Sequence, residues 1–322
     1  MTFIGQFVSL GIFLIIVLAV YIKEGLLISG FILHKLRRRE GASGFFTKKA
    51  IAVHILAVTG ILCFLYGIFI EPHWIEVKRI ELDTGKFTHA VLRIVQISDL
   101  HTDPKGINEK KLIGMVNSLD PDIIVFTGDT MNTPKALPVF KSTLKSLKAN
   151  IGKFAVNGNF DYWYLRGLDL FGGTGFLVLD GETVRISKDG DIFFISGLNF
   201  EHKRYWLDLL RKVPRGYYSI FLYHTPDLIE DIGGVNVDLY LAGHTHGGQV
   251  ALPFYGAIIT LSKHGKRYEA GEYKVGRTVL YVNRGLGTEG KAGIRVRFLA
   301  RPEVTVFDIR PALAGAKDEI GR

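Results

Sequence analysis

The chain has a single cysteine, Cys63, in 322 residues. A disulfide framework and a cysteine-ligated zinc site are therefore excluded. There is no internal repeat and no low-complexity tract. Acidic residues are scarce near the start: the first 70 positions hold two Asp/Glu against seven Lys/Arg. The other 252 positions hold 29 and 33, close to balance. The net charge of +9 thus owes most to one run, Lys35, Arg37, Arg38, Arg39, Lys48 and Lys49. Nucleic-acid binding would need a basic face on the folded part. None is written there, and no nucleic-acid partner is expected. Charge is missing altogether from Phe3 to Ile22, and from Ala50 to Ile70 with His54 neutral.

Those two uncharged runs are the source of the positive mean hydropathy, +0.21. Each is about 20 residues long, enough to cross a ~30 Å hydrocarbon core as a helix. No basic residue precedes the first run and no small-residue cleavage site follows it, so it reads as an anchor rather than a signal peptide. Gly25 to Leu33 is apolar too. Its nine residues will not span, and they either extend the first helix or lie in the interface. The basic loop between the runs sets the orientation. The positive-inside rule places it in the cytoplasm and everything after Ile70 on the far side of an inner membrane crossed more than once. The chain accordingly divides into an anchor, residues 1–75, and one globular domain, residues 76–322. Pro72 and Trp74 mark the junction.

From Val91 onward strands and helices alternate, which argues for an α/β layer structure. Val91–Ile97, Asp122–Phe126 and Lys153–Val156 read as strands. Helices fall between them, at Asn108–Ser118 with Asn108 as N-cap, and at Lys135–Ala149. After Phe176 the texture is strand-rich, with strands at 176–179, 183–186, 192–196, 219–223, 238–242, 279–282 and 304–309.

Five of these strands end in residues of one chemical kind. Asp99-Leu-His101 follows the first, Gly128-Asp129 the second, and Gly158-Asn159-Phe160-Asp161 the third. His224 follows Ser219–Tyr223, and Gly243-His244-Thr-His246 follows Asp238–Ala242. In open α/β sheets sites form beyond the carboxyl ends of strands, where loops from several strands converge. Extended backbone at 244–246 would turn both imidazoles to one side, within reach of two neighbouring ions or of one. Singly, each cluster could be a turn, a cap or a satisfied core histidine. Together, oxygen and imidazole donors without thiolate suit Mn, Fe, Zn or Co. Asp129, with two carboxylate oxygens, could bridge two ions, and two ions ~3.5–4 Å apart serve phosphoryl chemistry.

In this order the clusters resemble the calcineurin-like metallophosphoesterase superfamily, over roughly residues 90–310. Ile97-Ser-Asp-Leu-His101, Tyr223-His-Thr-Pro-Asp227, Gly243-His-Thr-His-Gly-Gly-Gln249, Arg284-Gly-Leu-Gly287 and Arg301-Pro-Glu303 resemble its membrane-associated YkuE-like branch. The resemblance implies a four-layer αββα sandwich behind N-terminal transmembrane helices. It implies two divalent cations, with manganese favoured. Asp99, His101, Asp129 and His246 would hold one; Asp129, Asn159, His224 and His244 the other. Asn159 and Asp161 would be catalytic.

One position departs from the pattern. The superfamily usually has His after the Asn, to support the leaving group, and Asp161 would orient it. This chain has Phe160 there. General-acid help is worth ~10²–10⁴-fold, so an enzyme without it does better on an activated bond. A phosphate leaving group, with its second pKa near ~6, is one. The resemblance extends to UDP-diacylglucosamine hydrolases, which cleave a lipid-linked diphosphate. The aromatic run Phe160, Tyr162, Trp163, Tyr164 fits a lipid-bearing substrate, although core packing would use at least two of the four. Arg284 and Arg166 could hold its anionic part. UDP-diacylglucosamine is expected on the cytoplasmic face, opposite to the side the charge rule assigns, so the substrate is named by class: a phosphodiester or phosphoanhydride. A second reading, resting on Phe160 alone, is a membrane protein that binds metal without turnover. The sequence sets no oligomeric state.

Overall fold

A computed structural model describes residues 3–37, 44–289 and 295–312. It opens with two long helices, α1 (Phe3–Leu36) and α2 (Lys48–Phe69). Both are long and apolar enough to cross a membrane. The first span was expected to stop at Ile22, but α1 runs on through Gly25–Leu33. The charged pair at 23–24 does not break it, because Glu24 Oε2 meets His54 Nδ1 of α2 at 2.6 Å. Tyr21 Oη donates to the Ala57 carbonyl, and Phe31 stacks near Phe45. The two helices therefore form an antiparallel hairpin.

The domain follows as β1 (Glu76–Thr84), β2 (Leu92–Ile97), α3 (Glu109–Ser118), β3 (Ile123–Thr127), α4 (Leu137–Ser146), β4 (Gly152–Val156), α5 (Asn159–Tyr164), β5 (Leu177–Val178), β6 (Glu182–Lys188) and β7 (Asp191–Leu198). It continues with α6 (Trp206–Leu210), β8 (Tyr218–Tyr223), β9 (Leu239–Ala242), β10 (Ala251–Leu252), β11 (Gly256–Ala257), β12 (Gly271–Val275), β13 (Thr278–Val282) and β14 (Glu303–Pro311). Two six-stranded sheets form, ordered β1-β14-β2-β3-β4-β5 and β12-β13-β9-β8-β7-β6. Strands β2 to β5 are parallel, as are β7, β8, β9 and β13.

Period-two alternation explains the layering. In β3, Ile124 and Phe126 face α3 and α4, where Leu112, Val116, Phe140 and Leu144 pack on them. Ile123 and Val125 face the other way, into a core shared with Phe193, Ile195, Ile220 and Leu239 of the second sheet. The far face of that sheet, with Phe221, Tyr240 and Leu280, is covered by Leu209 and Leu210. The result is the four-layer αββα sandwich.

Asn108 occupies the N-cap position of α3, but its side chain makes no capping bond. Its amide donates instead to the Pro72 carbonyl (2.8 Å), tying α3 to the segment that leaves the helical hairpin.

Candidate metal centre

The parallel strands bring five loops to one end of the sandwich. Asp99 and His101 leave β2, Asp129 leaves β3, Asn159 opens α5 after β4, His224 ends β8, and His244 and His246 follow β9. Ligand atoms of Asp99, His101 and His246 lie within 4.8 Å of one another, and so do those of Asp129, His224 and His244. Asp129 joins the two groups. Its Oδ2 is 3.3 Å from His224 Nε2 and 3.7 Å from His101 Nε2. Its Oδ1 accepts from the Phe160 amide at 2.8 Å.

The backbone that aims these side chains is not extended. Asp99, His101, Asp129, His244 and His246 all have positive φ, from 42° to 73°. The spacing of two therefore works through turns rather than an extended segment, and the division is the one the resemblance implies. Asp99 and His101 turn to the same group, whereas His244 and His246 go to different ones. Main-chain bonds hold the turns: the Asp99 amide donates to the Gly128 carbonyl (2.9 Å) and the His101 amide to the Asp129 carbonyl (3.2 Å). The His244 amide donates to the Asp99 carboxylate (3.1 Å). Glycine is required where the loops touch. A Cβ at Gly158 would stand 2.1 Å from Asp129 Oδ1, and one at Gly243 would stand 2.2 Å from Asp99 Oδ2.

These residues fit a pair of cations. Among the described residues, eleven buried side-chain polar atoms lack a hydrogen-bond partner, and five of them are here: both nitrogens of His101, His224 Nε2, His246 Nε2 and Asn159 Oδ1. An unpartnered buried polar atom costs about 1–3 kcal/mol, and five converging by accident would be hard to sustain. His224 Nδ1 meets the Thr127 carbonyl at 2.6 Å. That bond places the proton on Nδ1 and leaves the Nε2 lone pair for a ligand. Capping of the following turn falls to Thr225.

Burial sets the charges. It pushes His101 and His244 down to about 4 and His246 well below its ordinary value, so all three rings are neutral, the form that ligates. It pushes Asp99 up to about 7. Burial acts the same way on Asp129, but the charge of His224 outweighs it and holds that carboxyl well below the usual range. His224, lowered by burial and raised more strongly by Asp129 and Asp99, comes out at about 10. A proton on its Nε2 and a cation there are alternatives, since ligation needs the neutral ring.

The other expected site residues fall elsewhere. Phe160 is buried, edge-on to His101 with ring centroids 5.1 Å apart, and belongs to the core under α4. It has no open face for substrate. Arg284 is engaged by two carboxylates, Glu303 Oε2 at 2.6 Å and Glu76 Oε2 at 2.7 Å, so its charge is matched inside the protein. Arg166 lies over the Tyr162 ring. Of the aromatic run, Trp163 and Tyr164 are exposed. Asp161 has clients, though not at position 160. Its Oδ2 accepts from the amides of Asp129 and Gly158, and its Oδ1 from the amide and hydroxyl of Thr130.

One residue escaped the sequence reading. Arg297 is fully buried, and its Nη2 lies 3.2 Å from His246 Nδ1. Its guanidinium also donates to the carbonyls of Arg284, Gly287 and Ala300. Burial lowers it to about 10. Its surroundings, Arg295-Val-Arg-Phe298, alternate like an exposed strand and carry no local sign of burial.

Comparison with known proteins agrees with this geometry. Residues 92–248 match the family described as calcineurin-like phosphoesterase. The metallophosphoesterase YkuE of Bacillus subtilis is 34% identical over 86% of this chain and 98% of its own length. The UDP-2,3-diacylglucosamine pyrophosphatase LpxG of Chlamydia muridarum is 27% identical over 81% of this chain and 97% of that protein. A zebrafish (Danio rerio) transmembrane protein with a metallophosphoesterase domain is 25% identical over 95% of this chain and 73% of that protein.

Proposed function

The chain belongs to the calcineurin-like phosphoesterase family, a hydrolase by membership, and we propose that it cleaves the phosphodiester or phosphoanhydride bond of a lipid-bearing substrate at a membrane. The observation that carries the reading is the set of unpartnered buried polar atoms on four residues, His101, Asn159, His224 and His246, beside Asp129. Asp99, His101, Asp129 and His246 would hold one cation, and Asp129, Asn159, His224 and His244 the other. Bound there, two divalent cations lower the pKa of water and offset charge on a phosphoryl group. The oxygen and imidazole donors fit manganese among others.

The protein's own residues do the positioning. Thr127 orients His224 through its carbonyl, and the Phe160 amide fixes one oxygen of Asp129 so that the other faces the imidazoles. The Phe160 ring fills the space where a proton donor would stand and offers none. A leaving group must then depart without a proton, which favours phosphate and nucleotide over alkoxide. LpxG is named for such a diphosphate. The two apolar helices support residues 1–75 as a membrane anchor for a domain at 76–322. The basic loop between them supports a domain on the far side of an inner membrane.

The test uses the full-length protein loaded with Mn²⁺. We expect turnover of bis-p-nitrophenyl phosphate and of UDP-diacylglucosamine, with an alkyl monoester such as glycerol phosphate the poorest substrate. Two cations bound with no turnover of any would replace this reading with a non-catalytic metal-binding protein. Turnover of the soluble diester alone would remove the lipid.

A further inference from the structure

Three bulky apolar side chains stand exposed on left-handed backbone. Phe254 (φ 64°), Leu261 (φ 58°) and Leu299 (φ 54°) are the only apolar residues at positive φ among the described residues outside glycine. Their exposures are 111, 51 and 49%. Such a conformation is rare for a bulky residue and persists only where neighbouring structure imposes it.

Phe254 lies in the turn between β10 and β11, where the Tyr255 amide donates to the Leu252 carbonyl (3.2 Å), and the helical hairpin lies beside all three. Beside Phe254, Tyr255 Oη donates to Ser9 Oγ of α1 at 2.7 Å. Beside Leu261, the Thr260 amide and hydroxyl donate to Gln6 Oε1 of α1, at 2.7 and 3.0 Å. The Leu299 amide itself donates to Glu71 Oε2, just past α2, at 2.9 Å. Two residues earlier the Arg297 amide donates to the carbonyl of Gly67, inside α2, at 2.9 Å. Spanning a ~30 Å hydrocarbon core takes about 20 helical residues, and α2 has 22. Loops that reach Gly67 and Ser9 therefore meet the helices at headgroup depth. Trp74, half-exposed with the Arg301 guanidinium 4.1 Å from its ring centre, continues the same rim. An aromatic–cation pair is suited to that layer.

We propose that Phe254, Leu261 and Leu299 form a collar that inserts into the interfacial layer of the bilayer on the domain side of the hairpin. The occupant is lipid because the collar is continuous with the apolar outer surfaces of α1 and α2. The collar also borders the metal centre. His244, which alone among the seven proposed ligands is not fully buried, has its Nε2 3.4 Å from the Leu261 carbonyl. The accessible side of the site thus opens at the membrane surface. That consequence, which rests on the lipid-bearing substrate proposed above, means the phosphate group is presented from the membrane plane.

The experiment places single cysteines in full-length Cys63→Ser protein at Phe254→Cys, Leu261→Cys and Leu299→Cys. Val91→Cys serves as control, an exposed residue preceding β2 at the opposite end of the strands from the site. Each is labelled with an environment-sensitive fluorophore in nanodiscs of phosphatidylethanolamine and phosphatidylglycerol doped with nitroxide-labelled phosphatidylcholine. Collar labels are expected to be blue-shifted and quenched, most strongly by nitroxides about 5–10 Å deep. The control label is expected to show neither effect. Collar labels quenched no more than the control would overturn the proposal, and a second copy of the chain shielding them would appear as a blue shift without quenching, which also overturns it. Turnover of UDP-diacylglucosamine on the same samples separates the two ideas. Turnover without quenching rejects the collar alone; quenching without turnover supports the collar and rejects the lipid diphosphate.

Discussion

Asp161→Asn is the substitution that best separates a positioning role from a catalytic one. The Asp161 carboxylate accepts four hydrogen bonds, two on each oxygen: Asp129 and Gly158 amides at 2.9 and 2.8 Å, Thr130 amide and hydroxyl at 2.9 and 2.7 Å. It is 3% exposed. An amide of the same shape must turn its NH₂ toward one pair. The Thr130 side is the less costly, because a hydroxyl can rotate and accept. The Thr130 backbone amide is then left without an acceptor, at about 1–3 kcal/mol. The two remaining bonds change from charge-assisted to neutral, at about 1 kcal/mol each. The expected loss is about 3–5 kcal/mol, a large share of a domain stability of about 5–15 kcal/mol. Pulse proteolysis across a urea series, on protein in detergent, would measure it. Because the same bonds set the turn at Asp129, cation content should fall with stability. A variant with unchanged stability and cation content but reduced turnover would refute the argument, since it would put Asp161 in contact with the reacting atoms.

Phe160→His should raise hydrolysis of an alkyl monoester such as glycerol phosphate, whose alkoxide must be protonated, relative to p-nitrophenyl phosphate, whose phenolate leaves without a proton, by up to ~10²-fold, at a stability cost of about 2–4 kcal/mol for a polar ring in the core; an unchanged ratio of the two rates would sink the leaving-group explanation. Gly158→Ala has an ordinary φ of −92°, so its defect is steric: a Cβ 2.1 Å from Asp129 Oδ1 and 2.7 Å from the Asp129 backbone nitrogen. Cation content measured by mass spectrometry should drop from two per chain, and a full complement would show that the loops can part. Asp191 Oδ2 accepts from the amides of Thr88, His89 and Ala90 at 2.7 to 2.9 Å; burial raises its carboxyl, but the three amides together outweigh that and hold it below the usual range. Its contribution is therefore complete above the unfolded pKa of about 3.9 and lost as pH falls through the lower folded value. Asp191→Asn should make the acid limb of a stability–pH curve shallower below about pH 4, and an identical limb would count against it.

Strands buried on both faces were legible because burial on both faces leaves a continuous apolar run. Ile123-Ile-Val-Phe126 could hardly be anything else, with helices on one side and a second sheet on the other. Edge strands were not. In β1, Val77, Ile80 and Leu82 keep no strict period, and Lys78 and Arg79 lie at the exposed margin. β12 alternates, but between half-buried and exposed. The ligand clusters were legible for a related reason, since each follows a strand whose own pattern is plain. Arg297 was not, because its guanidinium is enclosed by His246 and the carbonyls of Arg284, Gly287 and Ala300 while its backbone amide meets α2 at Gly67, and none of this shows in its local pattern. The sequence shows Asp161 only beside position 160, while the backbone 31 residues upstream is what it holds.

The φ values also correct the reason the motifs work. Two residues apart on a strand would point the same way at no conformational cost. Here the ligands sit instead on left-handed turns, which cost of order 1 kcal/mol each for residues other than glycine. A strand would have sent His244 and His246 to one side. Consecutive left-handed turns separate them, one beside His224 and the other beside Asp99. The strained backbone thus serves to divide a single motif between two positions about one Asp129 carboxylate. Asp and His occupy these turns, at 99, 101, 129, 244 and 246. That matches the tolerance of short polar and imidazole side chains for this region, so ligand chemistry and backbone conformation select the same residue types. At 254, 261 and 299 they do not. Phenylalanine and leucine gain nothing from a left-handed turn in water, and what the three positions share is the helical hairpin beside each of them.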